Sequence, residues 1–394
     1  MPDDADRHRV TAGNIGLRSE RPIRVGVTEW HGMLQEQAEN PPPGVEYIEA
    51  TRRRSILNRL VSSPIKGFFP VIDDSALDVL ESIISPSWCR VPWICSVANY
   101  QEVLAFSLLG MPTPRAVRQA IVRPLFRSER FLAFTFWSRA GLQTMTEYGR
   151  VTDPILLGKA TVVYPAVKRR ADRLDSQGGR DLLLFGGDFF RKGGVHAVES
   201  FERLQDRYPG LQLRLCCDPA LDFRTYDDDL RSEFLARIHA NPRIVMGRVS
   251  RNEMVEGLLP RSVAYLLPSY DETFGFAVLE AMSAGVPVVA TREFAIPEML
   301  DHGTNGWLLE YHESEKRVLM SGYLLRTLPQ SIRSRISDEL TFRLDGLLQD
   351  TATAVGFGLA GQRAARERFS IEARNASMRA IYARARVLAD ARGS

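Results

Sequence analysis

The residues with the most chemical content lie between 267 and 280, in the run LPSYDETFGFAVLE. The preceding apolar run VAYLL (263–267) reads as a buried strand, and Pro268 and Ser269 end it. Residues 270–274 then form a loop at the strand's C-terminal end, the level at which open parallel sheets bind ligands. Gly275 lets the backbone bend sharply into a helix that runs from about Phe276 to Ala284. Gly285 fits as its C-terminal cap, and Pro287 forbids its continuation. The amides of Gly275, Phe276 and Ala277 are therefore free donors at a helix N-terminus, a place that attracts phosphate. Glu272 precedes this helix, and Glu280 lies about one turn inside it. A carboxylate cannot neutralise a phosphate, so these two suit hydroxyl groups on either side of one. A nucleoside diphosphate sugar has hydroxyls on both sides of its diphosphate.

A diphosphate also calls for cations. The segment LLLFGGDFFRKGGVHAVESF supplies Arg191 and Lys192 in a loop after a strand, with Gly193 and Gly194 opening the next helix. Across a cleft mouth the two would clamp the diphosphate and stabilise the leaving charge.

The segment resembles the signature of the retaining glycosyltransferases of family 4, which have the two-domain GT-B architecture. The resemblance is carried by Pro268-Ser269, Glu272, Phe274-Gly275 and Glu280-Ala281-Met282, then by Gly285 to Val289, Pro297-Glu298 and Gly303-Thr304-Asn305-Gly306. It implies that Glu272 and the adjoining amides hold the donor sugar and that Glu280 holds the ribose. Thr273 and Phe274 would lie against the same donor. The family commonly places an Arg directly after the first strand of this domain and a Lys five residues later. Gly187 occupies the Arg position here and Lys192 the Lys position, with Arg191 as the replacement cation. The stretch 243–249 resembles the family's strand and loop beside the nucleotide base, where backbone groups near Arg248 and Val249 would read the base edge. The acceptor half is marked less: VTEWHGMLQEQ retains only Gly32 of a Gly-rich loop. His31, Asn99 and Glu102 are its candidate acceptor-side residues.

These residues need two domains to position them, and 394 residues are enough for both. In the first half, apolar runs at 23–27, 45–49, 91–99, 131–138 and 161–167 read as strands, with helical periodicity at 75–84 and 139–148. The second half repeats the alternation, with strands at 181–187, 211–217, 243–247, 263–269 and 286–291. Strand and helix in turn imply parallel sheets, here two Rossmann-like, doubly wound domains facing across a cleft. The expected divisions are a leader (1–20), an acceptor-side domain (21–167), a linker (168–180), a nucleotide-sugar domain (181–361) and a helix crossing back (362–394). A single long helix is expected over 359–391, and 313–361 reads as helical.

The composition, 44% apolar and 25% charged, is that of a soluble globular chain, and no apolar run is long enough to span a membrane. The N-terminus has no signal-peptide core, so a cytoplasmic location is the expectation. Cys89, Cys95, Cys216 and Cys217 have neither disulfide nor zinc spacing. Basic residues concentrate in the first half, at Arg52-Arg53-Arg54 with Arg59 and Lys66, and at Arg123, Arg127 and Arg130. They suit a solvated helix face or an anionic surface such as the inner face of a membrane. No nucleic-acid-binding module accompanies them. The expected reaction is hexosyl transfer from a nucleotide sugar, with no cofactor and no metal. The acceptor would be a glycan or lipid-linked saccharide of envelope or exopolysaccharide synthesis. The alternatives are a glycoside hydrolase using Glu272 and Glu280 as acid and nucleophile, or a non-catalytic relative that binds the sugar nucleotide.

Overall fold

A computed structural model describes residues 21–29, 32–50, 72–105, 113–168, 170, 181–312, 315 and 318–393. The expected leader, His31, the basic residues from Arg52 to Lys66 and most of the expected linker lie outside them.

Long apolar runs must be covered on both faces, and two all-parallel sheets with flanking helices achieve this. The first sheet contains β1 (Ile23–Val27), β2 (Val45–Glu49), β3 (Val79–Ile83), β4 (Trp93–Val97), β5 (Phe131–Phe136) and β6 (Ala160–Val162). Their order is β2-β1-β3-β4-β5-β6, and β3, β4 and β5 are buried along their whole length. Counting helices of seven residues or more, α1 (Gly32–Ala38) follows β1, α2 (Arg115–Arg127) follows β4 and α3 (Arg139–Glu147) follows β5. The second domain runs β7 (Asp181–Phe185), α4 (Gly194–Leu204), β8 (Gln212–Cys216), α5 (Asp228–Ala240), β9 (Ile244–Met246), β10 (Ser262–Leu267), α6 (Phe276–Ser283), β11 (Val288–Thr291) and β12 (Gly306–Leu309). Its sheet order, β12-β11-β10-β7-β8-β9, sets β7 beside β10. The chain winds away from that pair in both directions, so a crevice opens between the loops that follow β7 and β10.

Three helices complete the chain: α7 (Gln330–Gln349), α8 (Thr351–Arg368) and α9 (Ile371–Gly393). A short hairpin, Met320–Ser321 with Leu324–Leu325, precedes α7 within the stretch read as helical. The last helix crosses back to the first sheet, where Met378, Tyr382 and Ala385 pack with Val25, Val79, Ile94 and Leu132.

The structure departs from two expectations. Residues 75–84 carry no helix; they contain the central strand β3. Glu81 and Ser82 interrupt its apolar run, and Glu81 is tolerated at 2% exposure because Arg374 and the Tyr382 hydroxyl of α9 meet its carboxylate at 3.3 and 2.7 Å. The expected continuous helix over 359–391 is two helices, and the boundary drawn at 361/362 falls inside α8. Phe369 is drawn between the domains against the ring of Tyr164, 5.0 Å away, and its carbonyl accepts the Val167 amide at 2.9 Å. Ser370 then bridges Val167, and α9 starts afresh at Ile371. A helix cannot run through a residue whose backbone is pairing with another strand.

The domains also meet through apolar side chains: Val27, Ile83, Ala98 and Trp137 of the first share one buried cluster with Phe274, Ile296 and Met299 of the second. The basic residues Arg123, Arg127 and Arg130 are paired with groups of the first domain, the first two at its surface. Arg123 and Arg127 ion-pair with Asp153 at 3.6 and 2.6 Å, and Arg130 donates to the Cys89 carbonyl at 3.3 Å. Among the described residues, no helix is long and apolar enough to cross a membrane. All four cysteines are buried and unbridged. Burial pushes the thiols of Cys89, Cys216 and Cys217 up to about 12, which leaves almost no thiolate near neutral pH.

Candidate functional site

The crevice beside β7 and β10 is a cavity of about 310 Å³. From the second domain Phe185, Gly186, Lys192, Arg251, Tyr265, Leu267, Glu272, Gly275, Phe276, Ala277 and Glu280 line it, and Gly32 and Leu34 face it from the first domain. Lys192 comes from the loop after β7 and Glu272 from the loop after β10, 80 residues apart in sequence, and the two ion-pair. Two glycines permit this closeness. Gly193, at φ +75°, lies so close to Pro268 that a Cβ would sit 2.0 Å from its carbonyl oxygen. Gly275, at φ +89°, turns the chain into α6 where a Cβ would strike the Ile296 side chain. The head of α6, whose first amides have no partner within the helix, thus opens on the cavity.

Glu280 is 2% exposed and ion-pairs with Arg251. Burial pushes its carboxyl above the usual carboxylate range, opposed chiefly by the charge of Arg251. Arg251 also ion-pairs with Glu36 of α1, which in turn holds Arg170 at 3.0 Å. A carboxylate of the second domain is therefore wired to the first.

The remaining expected site residues within the described residues do not line this cavity. Arg191 does not line the cavity: its guanidinium donates to Asp188 at 2.9 and 3.2 Å and to the Asp271 carbonyl at 3.1 Å, and so shapes the loop from beneath. Phe274 points into the interdomain core at 1% exposure, and the Thr273 amide donates to Glu272. Gly187 faces Asp222, and it is Gly186 that borders the cavity. Arg248 pairs with the same Asp222 at 3.1 Å, and Val249 packs against the interdomain cluster. Asn99 and Glu102 cap a short helical turn: Asn99 accepts the Glu102 amide at 3.1 Å and Glu102 the Ala98 amide at 3.0 Å. Both carry out local structure there, as the Asn-x-x-Glu spacing allows. Two residues absent from the sequence reading, Arg251 and Glu36, are central. The only signal for Arg251 is its place two residues beyond the segment read for its backbone.

A buried chain of polar groups supports the loop after β10. The Tyr270 hydroxyl bonds His196 Nε2 at 2.7 Å, His196 Nδ1 meets Ser337 Oγ at 2.8 Å, and Ser337 donates to Glu199 at 2.6 Å. Arg333 closes the chain on Glu199 at 2.7 Å. Ser337 has a single proton, which goes to the carboxylate, so His196 Nδ1 carries the hydrogen and Nε2 accepts from Tyr270.

Comparison with known proteins agrees with this architecture. Residues 180–319 match the family described as Glycosyl transferases group 1. The chain is 28% identical over 214 residues to alpha-maltose-1-phosphate synthase of Mycobacterium tuberculosis, covering 52% of this chain and 50% of that protein. It is 27% identical over 289 residues to D-inositol 3-phosphate glycosyltransferase of Pseudarthrobacter chlorophenolicus, covering 68% and 63%. A shorter stretch of 78 residues is 37% identical to N-acetyl-alpha-D-glucosaminyl L-malate synthase of Bacillus anthracis, a fifth of either chain. The matches thus span from a fifth to under two thirds of these relatives' length. Among solved structures, Anabaena HepE in complex with UDP superposes with TM-score 0.59 at 14% identity, over 91% of this chain and 98% of that one. Sucrose-phosphate synthase of Thermosynechococcus elongatus gives 0.59 at 14% identity, over 92% and 98%. Such identities speak to the fold. The match to group 1 glycosyltransferases thus lies in the second domain, and the two domains together have the GT-B fold.

Proposed function

We propose that this protein transfers a hexosyl group from a nucleotide sugar to a hydroxyl of a glycan or lipid-linked saccharide, with retention at the anomeric carbon. One observation carries the reading: a helix head, a lysine and two separately paired carboxylates converge on a single cavity. Glu280 would accept the ribose hydroxyls and Glu272 those of the donor sugar. Lys192 and the first amides of α6 would take up the charge that develops on the diphosphate as its bond to the sugar breaks. Fixed positive charge of this kind needs no metal ion. The glycoside-hydrolase alternative is not favoured, because Glu272 and Glu280 are each ion-paired with a cation, whereas that chemistry needs one of them protonated as an acid. A uridine nucleotide is the first donor to test, since HepE has been solved with UDP and with UDP-glucose.

The test is a thermal-shift panel of UDP, GDP and ADP with their sugars, since a ligand stabilises the fold it binds by mass action. At least one nucleotide is expected to raise the melting temperature by several degrees, and Glu280→Gln to weaken that binding by roughly tenfold or more, the scale of a charge-assisted hydrogen bond. If no nucleotide shifts the melting point at millimolar concentration, the donor-site reading falls. Release of nucleoside diphosphate from the stabilising sugar nucleotide separates an enzyme from a relative that only binds.

A further inference from the structure

Among the described residues, four charged side chains line the cavity: Lys192, Arg251, Glu272 and Glu280. Two carboxylates set against Lys192 alone would leave the lining net negative. A diphosphate is itself a polyanion, and like unit charges 4 Å apart repel by about 4 kcal/mol at an effective dielectric constant of 20. Arg251 brings the lining to balance and lets the helix head decide its sign. Arg191 cannot take this part, because Asp188 and the Asp271 carbonyl hold its guanidinium outside the cavity.

Arg251 reaches the cavity from the segment after β9. Its Nε faces Glu280 and its Nη2 faces Glu36, which uses two of the five N–H donors of a planar group suited to phosphate oxygens. Its side chain is 23% exposed, against 3% and 5% for the two carboxylates it bridges, so the guanidinium sits where the buried pair meets the open crevice.

We propose that Arg251 is the second cation of the donor site, holding the diphosphate opposite Lys192, and that Glu36 competes with the diphosphate for it. The assignment rests on the donor-site reading above. It also gives the first domain a direct hand in donor binding, since Glu36 belongs to α1 and is fastened there by Arg170 and the Lys168 amide.

Calorimetric titration of wild-type protein and variants with the nucleoside diphosphate that stabilises it, and with the same nucleoside lacking phosphate, tests this. Arg251→Gln is expected to weaken diphosphate binding by roughly tenfold to a hundredfold while the nucleoside's affinity changes little. Glu36→Gln removes the competing carboxylate and is expected to tighten diphosphate binding severalfold, which keeps the test alive should Arg251→Gln not fold. Equal losses for nucleoside and diphosphate in Arg251→Gln would overturn the proposal, because they would mark Arg251 as a support for Glu280 alone. Undiminished diphosphate binding in that variant, or binding unchanged or weakened in Glu36→Gln, would overturn it too. A wild-type protein that binds none of the diphosphates removes the donor-site reading itself, whatever the variants do.

Discussion

His196 shows how one side chain can set a loop it shares no sequence with. Its ring lies fully buried beneath the loop after β10, between Tyr270 and Ser337, and burial lowers its pKa from 6.5 to about 3. The native state therefore keeps it neutral while the unfolded chain takes up a proton below about pH 6.5. Stability contributed by this residue is complete above that pH and declines as pH falls toward 3, by up to about 1.4 kcal/mol per pH unit. Between pH 6.5 and 5, His196→Gln should flatten the dependence of the denaturant unfolding free energy on pH; an unchanged slope would contradict the neutral buried ring. Nitrogen NMR should find the hydrogen on Nδ1. Nothing in GVHAVESF indicates any of this. A histidine on the apolar face of a helix acquires its meaning from Tyr270 and Ser337, which two other segments supply. Glu272, Gly275 and Glu280 were legible because their chemistry is local, set by one strand, one turn and one helix. Arg191 and Lys192 are both read as clamp residues in sequence, but Asp188 and the Asp271 carbonyl engage Arg191, and of the two only Lys192 lines the cavity.

At the scale of elements, α9 is held to the first sheet by an ion pair that solvent barely reaches. Arg374 and Glu81 are 8% and 2% exposed, and the Tyr47 hydroxyl accepts from Arg374 at 3.0 Å. Removing one partner strands the other charge in the interior, so Arg374→Ala should cost about 3–5 kcal/mol, read by chemical denaturation. Replacing Arg374 by Met together with Glu81 by Leu should cost much less, because no charge is then left unpaired. The same pair explains which elements escaped the sequence reading. Uniformly apolar strands such as β5 and β10 announce themselves, as did the glycine-bounded α6. β3 did not, because Glu81 breaks its pattern for the sake of a helix nearly three hundred residues away. The helix break at Phe369 was hidden for a related reason: an Ala- and Arg-rich run has no local cause to stop, and the cause is contact with Val167 and Tyr164.

Across the whole molecule, the second domain caps a helix of the first. Glu298 accepts the amides of Arg139 and Ala140, the opening residues of α3, at 2.9 and 2.8 Å, and the Tyr164 hydroxyl donates to it at 2.7 Å. A carboxylate at a helix N-terminus is worth about 0.3–1 kcal/mol, and up to about 2 when partly buried. Glu298→Gln keeps the shape and loses the charge. Small-angle scattering should then show a larger radius of gyration, with faster hydrogen exchange at residues 139 and 140; unchanged values would mean that apolar contact alone closes the domains.

The pairing of Val167 with Phe369 and Ser370 has a mechanical consequence. The chain passes toward the second domain just after Val167 and returns at Phe369, and the two passages are fastened side by side by a backbone hydrogen bond. Bodies joined by two separate straps can slide and twist past each other. Joined by one stitched seam, they keep chiefly the freedom to swing about it, like the covers of a book about its spine. Glu298 receives the Tyr164 hydroxyl and Glu36 the Lys168 amide, so both interdomain contacts lie within a few residues of the seam and would respond together to the same swing.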